Sequence, residues 1–110
     1  MLADIELLQR FFALENERCW KEYGAYLADD VVWILNENGK QVVINGKEEY
    51  LEKIEQAYED ISTRFEVKSI TKYEKKNEII TLLENEDGDM SLDIFEIKYG
   101  KIVREWEYIL

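Results

Sequence analysis

The chain has 110 residues, enough for one hydrophobic core and too few for two, so we expect a single domain over residues 1–110. Its formal net charge of −11 disfavours a nucleic-acid partner, because binding to a phosphate backbone depends on Lys and Arg contacts. The sequence contains no histidine, which excludes Ser-His-Asp and Cys-His catalysis and the common zinc sites.

Export, membrane insertion and disulfide bonding also lack support in the sequence. The opening Met1-Leu2-Ala3-Asp4 carries no basic residue, and no run of about 18 apolar residues occurs anywhere in the chain. Cys19 is the single cysteine, which rules out an internal disulfide and fits a reducing compartment. We therefore expect a cytoplasmic protein that makes no membrane contact.

Helices are predicted in the first half of the chain. The first begins near Asp4, a residue suited to capping a helix, and ends near Gly24. Residues that recur at steps of three and four mark one face of it: Leu8, Phe12, Glu15, Cys19 and Tyr23. Glu15 is the exception in this otherwise apolar stripe. A second, amphipathic helix is predicted over residues 46–61.

Strands are predicted before and after the second helix. The continuous apolar run Val31 to Leu35 has the length of a strand, and we place it at the edge of a sheet. Further strands are expected after Arg64, and residues 91–109 read as a β-hairpin that turns at Gly100. Since the helices come first, we expect an α+β fold with helices on one face of an antiparallel sheet. The predicted core comprises Phe12, Tyr23, Leu51, Ile54, Tyr58, Phe65, Val67, Leu82 and Phe95.

Asp93 is the most informative residue of the hairpin. It alternates with Phe95 and Ile97, so its carboxylate should point where apolar side chains point. A buried carboxylate needs a hydrogen-bond partner or a chemical role. Asp93 is therefore the first candidate for a functional residue.

Short motifs in a particular order indicate a family. They are Ala28-Asp29-Asp30-Val31-Val32-Trp33, Asn45-Gly46-Lys47-Glu48-Glu49-Tyr50, Asp93-Ile94-Phe95-Glu96-Ile97 and Gly100-Lys101-Ile102-Val103-Arg104. This order resembles the nuclear transport factor 2-like superfamily, especially its SnoaL-like branch, over essentially the whole chain. The resemblance implies a curved sheet wrapped around the helices into a cone with a cavity at its open end. In relatives such as ketosteroid isomerase, limonene epoxide hydrolase, scytalone dehydratase and the polyketide cyclases, that cavity is the active site, whereas other members only bind or assemble.

The resemblance to ketosteroid isomerase can be followed residue by residue. The positions of its oxyanion-hole tyrosine and of its aspartate base fall on Phe11 and Leu35, which lack both functional groups. The position of its second oxyanion-hole residue, an aspartic acid, falls on Asp93. The Asp-His pair of the polyketide cyclases is absent because the chain has no histidine. The resemblance thus carries over one acid and no complete isomerase or cyclase site.

The resemblance also implies which residues line the cavity. Asp93 on the concave side of the sheet and Glu15 on the helix are the candidate catalytic pair, because carboxyl groups in a low-dielectric cavity raise each other's pKa. The structural alternative is that Asp93 accepts a hydrogen bond from a tyrosine or an amide, while Glu15 bends to solvent or pairs with Arg18. The candidate ligand contacts are Phe11, Trp33, Leu35, Tyr58 and Phe95.

We expect neither a cofactor nor a metal. The acids and Ser91 between Asn85 and Glu96 have the spacing of a calcium loop, but the glycine stands at the fourth position of that loop. Met90 occupies the sixth position, where the glycine is required. The segment from Met90 onward also has the composition of a strand.

The register of the last strand has two solutions. Family spacing from Gly100 turns Glu105, Glu107 and Ile109 inward. Hydrophobicity alone instead buries Ile102, Trp106 and Tyr108. Both sets of side chains are buried if a second subunit covers the outer face of the sheet. We therefore expect a homodimer through the convex face. Its interface would contain Leu92, Ile94, Arg104, Trp106 and Tyr108.

Functions from different classes remain open. The first is binding of a small, largely apolar molecule in an interior cavity. The second is a cofactor-independent isomerase, hydrolase or dehydratase that uses Asp93 with Glu15 or a tyrosine. A third is a dimerisation or scaffold module whose cone is filled by its own aromatic residues. The fold does not decide among them, because function depends on the site.

Overall fold

The computed structural model describes residues 3–110 and shows helices packed against a curved β-sheet. The helices are α1 (Asp4–Glu17), α2 (Trp20–Gly24) and α3 (Lys47–Ala57). The strands are β1 (Leu27–Glu37), β2 (Lys40–Asn45), β3 (Phe65–Tyr73), β4 (Glu78–Asn85), β5 (Met90–Lys98) and β6 (Lys101–Ile109). A short 3-10 turn, Glu74–Lys76, connects β3 to β4. Among residues 3–110, no helix is long and apolar enough to cross a membrane.

The predicted first helix is divided in two at Arg18. This residue adopts a left-handed backbone conformation, with φ 61°, and thereby ends α1. Its guanidinium donates hydrogen bonds to the carbonyl oxygens of Ile61 and Thr63, at 3.0 and 2.8 Å, and lies 4.0 Å from the centre of the Tyr58 ring. Because these contacts come from the segment after α3, helical periodicity alone could not locate the break.

The sheet is mixed, with the strand order β2-β1-β6-β5-β4-β3. β1 runs parallel to β6, and the other neighbouring strands are antiparallel. The prediction of a wholly antiparallel sheet with residues 31–35 at its edge is therefore wrong in these two details. The reason is that β2 folds back as the outer strand and leaves β1 paired on both sides. A continuous apolar run is typical of a strand in such an interior position.

The core lies between the helices and the concave face of the sheet. Phe12, Tyr23, Ile54 and Phe95 are buried as predicted. Four further predicted core residues are partly buried: Leu51, Tyr58, Phe65 and Leu82. Val67 is exposed, contrary to the prediction, because it lies on the edge strand β3 beside a shift in the pairing with β4.

A bulge in β6 resolves the register of that strand. The pairing of β6 with β5 shifts between Ile102 and Arg104, which inserts one extra residue on β6. Ile102 before the bulge and Glu105 after it are therefore both buried, although their spacing is odd. Each predicted register is partly correct: hydrophobicity placed Ile102 inward, and family spacing placed the glutamates inward.

Candidate functional site

An open cavity of about 570 Å³ lies between α3 and the concave face of the sheet. Part of its lining is aromatic or aliphatic: Tyr23, Trp33, Tyr50, Ile54, Tyr58, Phe65, Leu83 and Ile109. Another part is acidic, with Glu15, Asp93, Glu105 and Glu107 inside and the exposed Glu37, Asp87 and Asp89 around them. The cavity therefore combines aromatic surfaces with an unusual concentration of carboxyl groups.

Asp93 occupies the middle of β5 and faces this cavity. Thr81 on β4 and Glu107 on β6 are its neighbours in the sheet. The Asp93 side chain is 3% exposed, and its Oδ1 has no hydrogen-bond partner among residues 3–110. The Thr81 hydroxyl does not donate to this oxygen, because it donates to the backbone carbonyl of Asp93 at 3.0 Å. Burial raises the pKa of Asp93 to about 6, although the neighbouring side chains of Glu105 and Ser91 act in the opposite direction.

Two glutamates of β6 complete a carboxyl cluster with Asp93. One carboxylate oxygen from each of Asp93, Glu105 and Glu107 lies within 4.8 Å of the others. The Tyr50 hydroxyl donates to Glu105, and the Trp33 indole N–H donates to Glu107 at 3.0 Å. Burial raises the pKa of both glutamates well above its usual range, and the charge of Asp93 raises them further. Like charges this close in a low-dielectric site cannot all ionise, so the cluster retains protons near neutral pH.

Glu15 reaches the cavity from α1. The hydroxyls of Tyr58 and Tyr23 donate to its two carboxylate oxygens at 2.5 and 3.0 Å. Burial raises the pKa of Glu15 to about 7, against the effect of these hydrogen bonds, and the charge of Asp93 adds to the increase. Arg18 donates to the backbone carbonyl of Glu15 at 3.0 Å, and no ion pair with the Glu15 carboxylate occurs in the described part of the chain. Tyrosines, and not Arg18, therefore hold this carboxyl group.

Two tyrosines bring Glu15 close to the cluster. The hydroxyl of Tyr23 donates to Glu15, and the hydroxyl of Tyr50 donates to Glu105. The two hydroxyl oxygens lie 3.4 Å apart, in contact with each other. Residues of α1, α2, α3 and β6 therefore meet in one polar region, although Glu15 and Glu105 are far apart in the sequence.

The structure separates the predicted ligand contacts into two groups. Trp33 and Tyr58 line the cavity, whereas Phe11, Leu35 and Phe95 are absent from its described lining and pack with the core. The ring of Phe11 stacks on Tyr23, with centroids 4.0 Å apart, so Tyr23 takes the lining position. Phe95 meets Phe11 edge-on at 6.2 Å within the core. Phe11 and Phe95 are thus core residues and Leu35 packs against the core, while contact of these three residues with a ligand stays a prediction.

Three residues that line the cavity, Tyr50, Glu105 and Glu107, were not predicted as site residues. Glu105 and Glu107 pointed inward in one of two register solutions, and the signal for them was the spacing from Gly100. Tyr50 lies in the amphipathic helix predicted over residues 46–61, where a tyrosine looks like an ordinary core residue. Its role becomes visible only in the structure, where α3 packs against β1 and the Tyr50 hydroxyl reaches Glu105 on β6.

Comparisons with known proteins agree with this architecture. The sequence profile of the SnoaL-like domain matches residues 8–105. A SnoaL-like protein of unknown function from Burkholderia thailandensis has a TM-score of 0.82 at 13% identity, with 100% of this chain and 99% of that chain covered. A cystatin-fold protein from Novosphingobium aromaticivorans has a TM-score of 0.77 at 17% identity, with coverage of 97% and 98%.

A third solved structure is that of an enzyme. It is an epoxide hydrolase/cyclase-like enzyme of pyran ring formation in the polyether salinomycin, with a TM-score of 0.77 at 14% identity and coverage of 96% of this chain and 88% of that chain. No match was found among curated proteins. At these identities the structural likenesses confirm the α+β, cystatin-like fold, and the match over residues 8–105 shows that the chain belongs to the SnoaL-like domain family.

Proposed function

We propose that this protein binds a small organic molecule in the cavity between α3 and the concave face of the sheet. The observation that carries the proposal is the buried Oδ1 of Asp93, which has no partner among the described residues and belongs to a side chain that lines the cavity. A buried acceptor without a partner costs about 1–3 kcal/mol, and a hydrogen bond from a ligand offsets that cost. The volume of about 570 Å³ lies within the usual range of small-molecule sites.

The arrangement of the aromatic residues favours binding over a purely structural role. Phe11, Phe12 and Phe95 pack on one another in the core, at centroid distances of 5.6–6.2 Å. They do not fill the cavity, which Trp33 and Tyr58 border from opposite elements. A scaffold module whose cone is filled by its own side chains would not contain a cavity of this size. The ligand we propose has an apolar body for the aromatic surfaces and a polar group for Asp93.

A fragment screen followed by protein-observed NMR tests this proposal. We expect the bound fragments to shift the amide resonances of Ser91, Asp93 and Glu107, and to raise the melting temperature by mass action. Ala57→Trp places a large ring at an exposed position of the cavity lining and should weaken binding. Lys53→Trp adds the same ring to α3 outside the cavity and should not. Binding that is equally insensitive to both variants would overturn the proposal.

A second candidate function is acid–base catalysis without a cofactor. Asp93, with a pKa of about 6, and Glu15, with a pKa of about 7, both titrate near neutral pH and both face the cavity. Such carboxyl groups suit proton transfer, because a catalytic acid works best when its pKa lies near the working pH. An isomerase, hydrolase or dehydratase reaction could use Asp93 with Glu15 or with one of the tyrosines that contact Glu15.

Epoxide opening is a direct assay for this second function, since one structural neighbour is an epoxide hydrolase/cyclase-like enzyme. Styrene oxide serves as the probe. Turnover, if catalysed at this site, should fall about 100-fold or more in Asp93→Asn, in line with the usual contribution of a positioned acid or base. Turnover that survives in both Asp93→Asn and Glu15→Gln would show that these carboxyl groups are not catalytic.

A further inference from the structure

We propose that the cavity selects an organic cation, a protonated amine whose ammonium group binds among Asp93, Glu105 and Glu107 while its apolar body packs against the aromatic lining. This inference rests on the proposed function and narrows the class of ligand. It starts from three facts about the site: its charge, the spacing of its oxygens and the nature of its walls.

No basic side chain among the described residues forms an ion pair with the acids of the site. These acids, Asp93, Glu105 and Glu107, are adjacent to one another. The basic groups nearby are otherwise engaged or at the periphery. The guanidinium of Arg18 binds backbone carbonyls, and Arg64 is an exposed residue of the lining. A cation from outside can therefore replace the protons that the cluster must otherwise hold.

The spacing of the oxygens suits one ammonium group. Oxygens at about 2.8 Å from a nitrogen, in tetrahedral directions, lie about 4.6 Å apart. The three carboxylate oxygens lie within 4.8 Å of one another. An –NH₃⁺ group has three donors and no acceptor, so it can donate to one oxygen of each acid. Asp93 also has an Oδ1 without a partner among the described residues. The bonds from Trp33 and Tyr50 orient Glu107 and Glu105, and each occupies the Oε1 atom of its glutamate.

The walls favour an organic cation over a metal ion. Trp33 and Tyr50 border the cavity with their ring centroids 4.7 Å apart, and Tyr23 and Tyr58 line it as well. Aromatic faces attract cations and also accept an apolar body. Calcium needs six to eight oxygen ligands, and a bare ion would leave most of the 570 Å³ without contacts. The combination of acids with aromatic surface therefore fits an amine better than a divalent ion.

Binding of an ammonium group should expel protons. The amine arrives charged, the cluster releases its retained protons to the buffer, and no covalent bond changes. Other titratable or charged groups line the cavity or lie beside it: Glu15 (α1), Arg18 (after α1), Tyr23 (α2), Glu37 (β1), Tyr50 (α3), Tyr58 (after α3), Arg64 (before β3), and Asp87 and Asp89 (between β4 and β5). Among these groups Glu15, with a pKa of about 7, is the one closest to its titration point at neutral pH. A cation bound nearby favours its ionised form, so Glu15 adds to the proton release.

Isothermal titration calorimetry with matched probes tests the inference. Benzylamine, 2-phenylethylamine and cyclohexylmethylamine are compared with the corresponding alcohols, in two buffers of different ionisation enthalpy. We expect the amines to bind about tenfold more tightly than the alcohols, with release of about one proton per amine. Asp93→Asn and Glu107→Gln should each weaken the amines about tenfold and change the alcohols by less than about twofold.

Controls make each outcome decisive. Glu96→Gln removes one charge from the same strand as Asp93, outside the cavity lining, and should leave amine affinity within about twofold of the wild type. Circular dichroism confirms that each variant is folded. Alcohols that bind as tightly as amines would overturn the ammonium inference and leave the proposed binding function standing. Absence of amine binding, or displacement of the amines by calcium chloride at equal affinity, would also overturn the inference.

Discussion

The indole N–H of Trp33 donates a hydrogen bond to Glu107 at 3.0 Å, across the parallel pairing of β1 with β6. Trp33 lies directly opposite Glu105 in that pairing, and Glu107 lies opposite Leu35, so the bond runs diagonally along the concave face. It links Glu107, an acid of the cavity, to β1, the strand that pairs with the outer strand β2. Stability of the fold and geometry of the candidate site therefore depend on the same contact.

Replacing this donor should lower stability. Trp33→Phe keeps an aromatic ring but leaves Glu107 without its indole partner, and we expect the free energy of unfolding to fall by about 1–3 kcal/mol in addition to any packing loss. Urea denaturation measures the change. Trp20→Phe is the matched control, because the Trp20 indole makes no hydrogen bond among residues 3–110 and should show the packing loss alone. Equal losses in the two variants would mean that the Glu107 bond contributes nothing.

The buried acids predict that the protein becomes more stable on mild acidification. The folded-state pKa of Glu15 is raised from 4.5 to about 7 and that of Asp93 from 3.8 to about 6, so the folded protein binds more protons than the unfolded chain in this range. The free energy of unfolding should then be highest below the unfolded values and fall as the pH rises through about 6 to 7. Each such group lowers the free energy of unfolding by up to about 1.4 kcal/mol per pH unit of increase between its unfolded and folded pKa values.

Urea denaturation at a series of pH values measures this slope. Asp93→Asn and Glu15→Gln should each make it shallower, because each removes one group whose pKa is raised in the folded state. Glu66→Gln, at an exposed position of β3, is the control and should leave the slope unchanged. A slope that is identical in the wild type and in Asp93→Asn would contradict the assignment of Asp93 as a protonated acid.

The pKa of Asp93 can also be observed directly. NMR titration of its carboxyl carbon should give an apparent pKa near 6 in the unliganded protein, because burial disfavours the charged form. Ser91→Ala removes a neighbouring hydroxyl that lowers this pKa, so the value should rise in that variant. An apparent pKa at or below the usual value for Asp would identify Asp93 as a structural acceptor only.

A homodimer through the convex face remains a prediction, and the sheet register supplies the reason for it. Ile34, Trp106, Ile94 and Ile80 are paired side by side across four adjacent strands, which forms a continuous apolar row. Arg104 lies 5.7 Å above the Trp106 ring on the same face. Large apolar patches of this kind are uncommon on monomers, and Trp and Arg are enriched in interface cores.

Sedimentation equilibrium should give twice the chain mass of 13.2 kDa at moderate salt. Trp106→Glu should shift the protein toward the monomer, because it places a charge in the centre of the apolar row. Tyr99→Glu adds the same charge in the fully exposed turn between β5 and β6 and should leave the dimer intact. A wild type that sediments as a monomer at micromolar concentration would refute this interface.

Local patterns in the sequence determined the hairpin of β5 and β6, the inward face of β5 and the apolar face of α3. The hairpin of β5 and β6 was predictable because Gly100 stands in a short turn between two β-rich runs. In the structure Tyr99 and Gly100 form that turn, with φ of 53° and 73°. The inward position of Asp93 followed from alternation along one strand, a property that no other part of the chain alters. The amphipathic stripe of α3 followed in the same way from its own period.

Only the tertiary structure decided which faces meet. The parallel neighbour of β1, the break of the first helix at Arg18 and the convergence of Glu15 with Glu105 all depend on contacts between segments distant in the sequence. The bulge before Glu105 shows the physical reason most clearly. Because side chains alternate along a strand, one extra residue reverses inside and outside for every position after it, and only the pairing with β5 reveals where that residue is inserted.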